Sequence, residues 1–300
     1  MANKLLTAMM IDDCLHDPVL GAKVILNYTL PPHQELRIWG MWTKKFFADS
    51  SGYGTGKSLS IAVVTALRAV LMADRTAGII SKTYNQGQLI FQYFDKWAAT
   101  SPIFRSQLVQ VNATDVDLYH GTNCWQARFK NESKIRTIPP DFQRDAARVA
   151  SEDWNDGYFD EWSKYPNFQA FLKNIWTRVR RPINGKYPIN DPIFDRHFYM
   201  AGTARYQWHP CYGMIAKYMD DIREGSLLHE VQSWNYTHVP KRYLHLLEID
   251  GIKELERTLP RDTAQQEIMG RWVKDSQGYY SFSDIEDARS RECQVLLKRV

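Results

Sequence analysis

Ser51-Gly52-Tyr53-Gly54-Thr55-Gly56-Lys57-Ser58 decides the reading of this chain. The stretch follows a short apolar segment, Phe46-Phe47-Ala48, and opens an apolar-periodic one from Leu59 to Met72. It therefore reads as a loop between a strand and a helix. Glycine at 52, 54 and 56 lets the backbone curl through conformations that other residues avoid. The N–H groups of such a loop, with the N-terminus of the helix after it, converge on an anion. Lys57 reaches β- and γ-phosphates, and the Ser58 hydroxyl ligates Mg²⁺. Gly52, Gly54, Thr55, Gly56, Lys57 and Ser58 are thus the expected nucleotide-binding residues. The usual pattern, G-x-x-x-x-G-K-[ST], begins with glycine; here Ser51 stands first, a small residue that still fits.

Outward from this loop, strands and helices alternate. Thr76 to Ser81 and Lys134 to Ile138 read as strands, another ends at Phe159, and His197 to Ala201 is a further one. Helices are expected from Leu59 to Asp74, Gln86 to Thr100 and Phe168 to Arg180. This alternation predicts an α/β fold with a mostly parallel sheet covered by helices on both faces. Beyond Trp234 the pattern changes to helical segments near 242–258 and 261–270, the second capped by Asp262, and a charged tail. The expected division is residues 1–240 as one domain and 241–300 as a small linker or lid.

Composition agrees with a folded chain. Of 300 residues, 44% are hydrophobic and 24% charged, enough to form a sizeable core. No apolar run approaches the roughly 20 residues needed to span a bilayer, and the N-terminus does not read as a signal peptide. The net charge of +4 permits nucleic-acid contact without requiring it. Cys14, Cys124, Cys211 and Cys293 are scattered, with no metal-ligand spacing and no sign of a disulfide framework. His209-Pro210-Cys211 lacks the second half of a metal site and reads as loop chemistry.

Hydrolysis of a nucleotide needs a carboxylate near Mg²⁺ and another to position or deprotonate water. Gly157-Tyr158-Phe159-Asp160-Glu161-Trp162 offers both. Adjacent side chains of a regular strand point to opposite faces, so Asp160 and Glu161 can serve together only if the strand ends near 160. Asn155 and Asp156 are polar where a buried strand should be apolar, which weighs against the assignment. Met200-Ala201-Gly202-Thr203-Ala204 is a third element, with a hydroxyl at Thr203 able to change partners when phosphate leaves.

Taken in order, these elements resemble the ATPase half of a tailed-bacteriophage terminase large subunit, the DNA-packaging motor. The segments Asp17 to Leu20 and Leu30 to Gln34 are similar to the family's approach to its Walker A loop. Residues 52–58 resemble that loop, and Ile79 to Gln86 resemble the following strand and turn. Asp160-Glu161 and Gly202-Thr203-Ala204 resemble the Walker B and coupling motifs. The resemblance implies a P-loop NTPase fold of the ASCE type and an ATPase using ATP and Mg²⁺. Gln34 would contact adenine, Lys57 and Ser58 would hold phosphate and Mg²⁺, and Asp160 would organise the metal. Glu161 would activate water, and Thr203 would couple hydrolysis to movement. A neighbouring subunit would insert an arginine, for which Arg148 fits best and Arg144 second. The implied partners are double-stranded DNA, a portal protein and a small terminase subunit, in a homo-oligomeric ring that is usually pentameric. No membrane is implied; the place of action would be the host cytoplasm, transiently on a viral procapsid.

Two departures stand out. Tyr53 occupies a loop position where many members carry an arginine. The family's second half is a metal-dependent nuclease, which 300 residues leave no room for, so nuclease activity is not expected here. Asp284, Glu286 and Asp287 lie in a charged tail and read as linker or solvated helix. Candidate DNA-backbone contacts are Lys44, Lys45, Arg178, Arg180 and Arg181. Two other readings stay open: a helicase-like translocase, and a protein that binds nucleotide for assembly without turnover.

Overall fold

Thr76 to Ser81 is wholly buried, and its Ile79 and Ile80 face opposite sides of one sheet. The other central strands repeat the alternation: Phe47, Tyr158 and Tyr199 join one core, and Ala48, Phe159 and Met200 the other. A strand with apolar residues on both faces must be covered on both, and that requirement organises the molecule. The structure, a computed structural model, describes residues 2–112, 115–122, 124–138, 149, 152–165, 167–182, 187–188 and 191–274.

In chain order the elements are α1 (Ala2–His16), α2 (Pro18–Ile25), α3 (Pro32–Thr43), β1 (Phe46–Ser50), α4 (Lys57–Leu71), β2 (Thr76–Ser81), α5 (Tyr84–Thr100) and α6 (Pro102–Gln107). There follow β3 (Leu118–His120), β4 (Trp125–Arg128), β5 (Lys134–Thr137), β6 (Asp156–Asp160), α7 (Phe168–Ala170), β7 (His197–Gly202), α8 (Pro210–Arg223), β8 (His229–Gln232), α9 (Ile249–Thr258) and α10 (Arg261–Glu267). The strands form one sheet in the order β3-β4-β5-β2-β6-β7-β1-β8. From β5 to β8 neighbours run parallel; β3 and β4 are antiparallel additions at one edge. Helices α2 to α6 pack on one face, and α7 and α8 on the other.

Strand register brings the functional ends together. Ser50 pairs with Gly202, and Asp160 pairs with Ala201 on one side and Ser81 on the other. The C-terminal ends of β1, β7, β6 and β2 therefore form one row, which is where open α/β sheets bind ligands.

The polar start of β6 has a structural reason. Asp156 is buried and takes Arg75 on both oxygens, at 2.6 and 3.1 Å, with Arg68 Nε at 3.3 Å. The Asn155 side chain accepts from Thr76 N–H and donates to the Arg181 and Pro182 carbonyls. Paired and hydrogen-bonded, these groups tolerate burial.

Three local expectations need correction. The helix expected from Phe168 to Arg180 is short: α7 passes into a π turn (Phe171–Ile175) and a 3₁₀ turn (Trp176–Arg178). There the Arg178 carbonyl accepts from Trp154 N–H, drawing the chain off as an extended segment. Pro260, not Asp262, is the N-cap of α10. His209 caps α8, accepting from Cys211 N–H, so the His-Pro-Cys triplet is a helix start. Among the described residues no group of His, Cys, Asp and Glu could hold a metal by itself, and no helix is long and apolar enough to cross a membrane.

Beyond β8 the chain returns across the C-terminal ends of the strands. Val239, Leu247, Ile252 and Ile268 make a small separate core there. This segment covers the loop between β1 and α4.

Candidate nucleotide site

The loop between β1 and α4 is fixed by a buried ion pair. Arg37 on α3 and Asp49 on β1 are each 1% exposed, with Arg37 Nε 2.7 Å from the carboxylate. Arg37 also donates to the Thr55 carbonyl at 2.6 Å, to Ser51 Oγ at 3.1 Å and to Thr55 Oγ1 at 3.4 Å. One guanidinium thus ties the start and the crest of the loop to the sheet, as its rigid fork of donors allows.

Ser51 is explained by the same network. Its hydroxyl donates to Asp49, and accepts from Arg37 and from Trp234 N–H at 2.8 Å. The positive φ values in the loop fall on Gly54 (76°) and Gly56 (81°), so position 51 needs no glycine. Gly52 is required for another reason: a Cβ there would lie 1.8 Å from the Ile268 carbonyl oxygen. The C-terminal segment rests directly on the loop, and Tyr53 N–H donates to the Glu267 carbonyl at 2.7 Å.

Below the loop opens a cavity of about 680 Å³, in the size range of small-molecule sites. Gly54, Thr55, Gly56, Lys57, Ser58 and Tyr53 line it from the loop, and Glu161, Lys164 and Thr203 from the strand ends. Leu247, Ile252 and Glu267 close it from the C-terminal segment. Of the residues expected from sequence, Gly52, Gln34 and Asp160 stand just behind this lining. Gln34 is packed against Gly56, its Nε2 2.1 Å from where a Cβ would be, and its Oε1 is buried without a hydrogen-bond partner. Beside it His33 is buried, and burial and the Arg37 charge depress its pKa to about 4, leaving a neutral ring. Arg144 and Arg148 lie outside the described residues.

Asp160 and Glu161 meet the geometric condition set by their adjacency. β6 ends at Asp160, and Glu161 turns into the left-handed region with φ 52°. A non-glycine residue held there is strained, and such strain clusters at functional turns. The turn directs Glu161 into the cavity while Asp160 stays behind it. Ser163, in the next turn, donates to the Thr203 carbonyl at 2.7 Å and ties the end of β6 to that of β7.

The electrostatics are concentrated at this point. Lys57 Nζ donates to the carbonyls of Ser51 and Gly52 at 2.9 and 3.0 Å. Burial pulls its pKa down, and the Asp49 and Glu161 carboxylates push it back up. Burial and then the neighbouring Glu161 raise Asp160 to about 7, against the opposing Lys57. Asp160 Oδ1 and Thr203 Oγ1 are buried without a hydrogen-bond partner. Both atoms stand at the strand ends beside the cavity, with hydrogen-bonding capacity left over.

The ATPase domain of the Thermus phage P74-26 large terminase matches 84% of this chain and 97% of its own length, with TM-score 0.53 and 16% identity. The fold is similar to that of a phage large-terminase ATPase domain. The bacteriophage HK97 large terminase matches 86% of this chain with TM-score 0.62 and 10% identity, over 55% of its own length. The large terminase of a thermophilic bacteriophage, solved with ATP-γ-S, matches 81% of this chain and 53% of its own, with TM-score 0.49 and 13% identity. This chain thus spans about half the length of those last two large terminases. No protein-family model matches the chain, and neither does any curated protein. Its mixed α/β sheet with flanking helices is the same general architecture as in those terminase domains.

Sequence reasoning missed Arg37, Asp49, Lys164 and Glu267. Arg37 follows Gln34 by one helical turn and so shares its face; that spacing was the available signal. The suggested DNA contacts are mostly engaged: Lys45 pairs with Asp195, Arg180 with Asp153 and Arg181 with Asp74. Lys44 and Arg178 donate to the carbonyls of Leu227 and Asn174.

Proposed function

We propose that this chain is an ATP-hydrolysing motor that moves double-stranded viral DNA into a procapsid. The observation that carries the reading is the break at Asp160-Glu161, which turns Glu161 into the cavity opposite a glycine-rich loop and its lysine and leaves Asp160 buried just behind it. The fold likeness to a terminase ATPase domain supports the choice of motor over other nucleotide enzymes.

The donor set fits a triphosphate with Mg²⁺. Ser58 offers a hydroxyl at the first turn of α4, and Asp160 an unpartnered buried oxygen; both are the hard oxygen ligands Mg²⁺ takes. The bound metal would neutralise charge on the phosphate oxygens. Loop N–H groups and Lys57 would hold the phosphates, and Gln34 behind Gly56 would contact adenine. Glu161 would accept the proton of the attacking water, and Thr203 would relay the loss of phosphate along β7. An arginine from a neighbouring copy, Arg148 in this reading, would complete the site. Such a finger contributes roughly 10³–10⁵ in rate, so turnover per chain should rise on assembly. Double-stranded DNA, a portal protein, a small terminase subunit and a pentameric ring in the host cytoplasm are the corresponding partners and setting.

The test is steady-state ATP hydrolysis, with and without duplex DNA and portal, on wild type and Glu161→Gln. The expected result is retained ATP binding with turnover lowered about 10²–10⁴-fold, the usual contribution of a general base. An unchanged rate in the variant refutes Glu161 as the base. ATP binding without any turnover by assembled wild type would favour the assembly-protein reading.

A further inference from the structure

Lys164 has no part in the hydrolysis proposed above, yet two carboxylates of the site meet at its ammonium. Its Nζ lies 3.0 Å from Glu161 Oε2 and 3.3 Å from Glu267 Oε1. The three side chains are 22, 16 and 27% exposed, so the cluster is largely withdrawn from solvent. Lys164 is placed by the turn that Glu161 begins: its N–H donates to the Glu161 carbonyl at 2.8 Å. Glu267 comes from the far end of the chain, as the last residue of α10. Its own carbonyl accepts from Tyr53 N–H at the crest of the phosphate loop.

We infer that Lys164 is a positioning residue that shares its charge between Glu161 and Glu267, so that the seating of the C-terminal segment on the phosphate loop sets the orientation of the Glu161 carboxylate. The inference rests on the ATPase reading and adds a regulatory contact to the same site. One ammonium serves two carboxylates. While α10 is seated, Glu267 draws part of the charge away and Glu161 is held by one oxygen, its other oxygen being left for a water. When α10 lifts, Lys164 has Glu161 as its single partner and the carboxylate is drawn down onto the turn. Exposed pairs of this kind are worth little. This one is partly buried and bridges segments a hundred residues apart, so its loss is felt in the geometry of Glu161 more than in folding. The same contact carries information outward, because a change at Glu161 alters the hold of Lys164 on α10.

The test uses the full chain and three variants, Lys164→Met, Lys164→Arg and Glu267→Gln, with kcat and KM for ATP measured separately and folding checked by thermal melting. Lys164→Met is expected to lower kcat by about tenfold or more with KM within about twofold, the signature of an interaction that acts on the chemical step. Lys164→Arg should regain most of the rate, since a guanidinium can bridge two carboxylates. The effects of Lys164→Met and Glu267→Gln should be strongly non-additive in the double variant, as for residues acting through one another. A wild-type kcat in Lys164→Met, or additive effects, overturns the inference while the ATPase reading stands. Absence of ATP turnover in assembled wild type overturns both.

Discussion

Replacing Arg37 by methionine should unseat the phosphate loop. The substitution keeps the length of the side chain and removes its charge, leaving Asp49, 1% exposed, without its ion-pair partner at 2.7 Å. Ser51 Oγ and the Thr55 carbonyl each lose a donor as well. Breaking one side of a buried ion pair costs about 3–5 kcal/mol, because the remaining charge is stranded in a poor solvent. For a domain of this size each kcal/mol lowers Tm by about 2–4 °C, so the expected fall is roughly 6–20 °C. Removing both charges should behave differently: Arg37→Met with Asp49→Leu strands no ion, and should regain at least half of the loss. Thermal melting and urea unfolding of wild type, single and double variants give the stabilities, and nucleotide titration gives the state of the loop. Both variants should bind ATP weakly, since neither holds Thr55 and Ser51 in place. A single variant that loses less than about 1 kcal/mol, or a double variant no more stable than the single one, would refute the view that this pair fixes the loop.

Ser51→Gly restores the usual glycine of the motif, yet should destabilise by about 1–3 kcal/mol, because Asp49, Arg37 and Trp234 N–H each lose a buried partner; urea unfolding measures it. Gly52→Ala places a methyl against the Ile268 carbonyl, 1.8 Å away, and should raise the protease sensitivity of residues 236–272 by lifting that segment from the loop. Asp160 bears on pH. Its folded-state pKa is raised from 3.8 to about 7, so its contribution to stability is fully present below about pH 4 and is lost as pH rises through 7. Asp160→Asn should therefore match wild type near pH 4 and exceed it above pH 7, by up to about 4 kcal/mol at 1.36 kcal/mol per unit. Unfolding in the presence of a chelator, at several pH values, checks it; a pH-independent difference counts against the buried carboxylate.

The phosphate loop, the wholly buried strand from Thr76 to Ser81 and the order of alternating elements were legible in the sequence, because each is written in local terms: glycine spacing, an apolar run, a helical period. β8 was not, since His229-Glu230-Val231-Gln232 lies at a sheet edge, half-buried, and needs little apolar patterning. Asp156 looked wrong for a core strand because its partners, Arg68 and Arg75, lie more than eighty residues upstream. A separation of that order also hid Glu267 from Lys164, whereas Asp49 was missed because its partner Arg37, though near in the chain, sits on a different element. What a residue does through a remote partner is invisible to a reading that runs along the chain. The break after Asp160 could be stated only as a condition on two adjacent acids; the left-handed turn at Glu161 meets it.

A structure of the chain crystallised with Mg²⁺ and a slowly hydrolysed ATP analogue tests the central claim most directly. The triphosphate is expected along the loop from 52 to 58, with Lys57 turned from the Ser51 and Gly52 carbonyls onto the phosphates. The metal should lie at roughly 2.0–2.1 Å from Ser58 Oγ, with Asp160 beside it directly or through water and Glu161 facing the terminal phosphate. Nucleotide bound elsewhere, or bound in the cavity with Asp160 and Glu161 turned away from the phosphates, would contradict it.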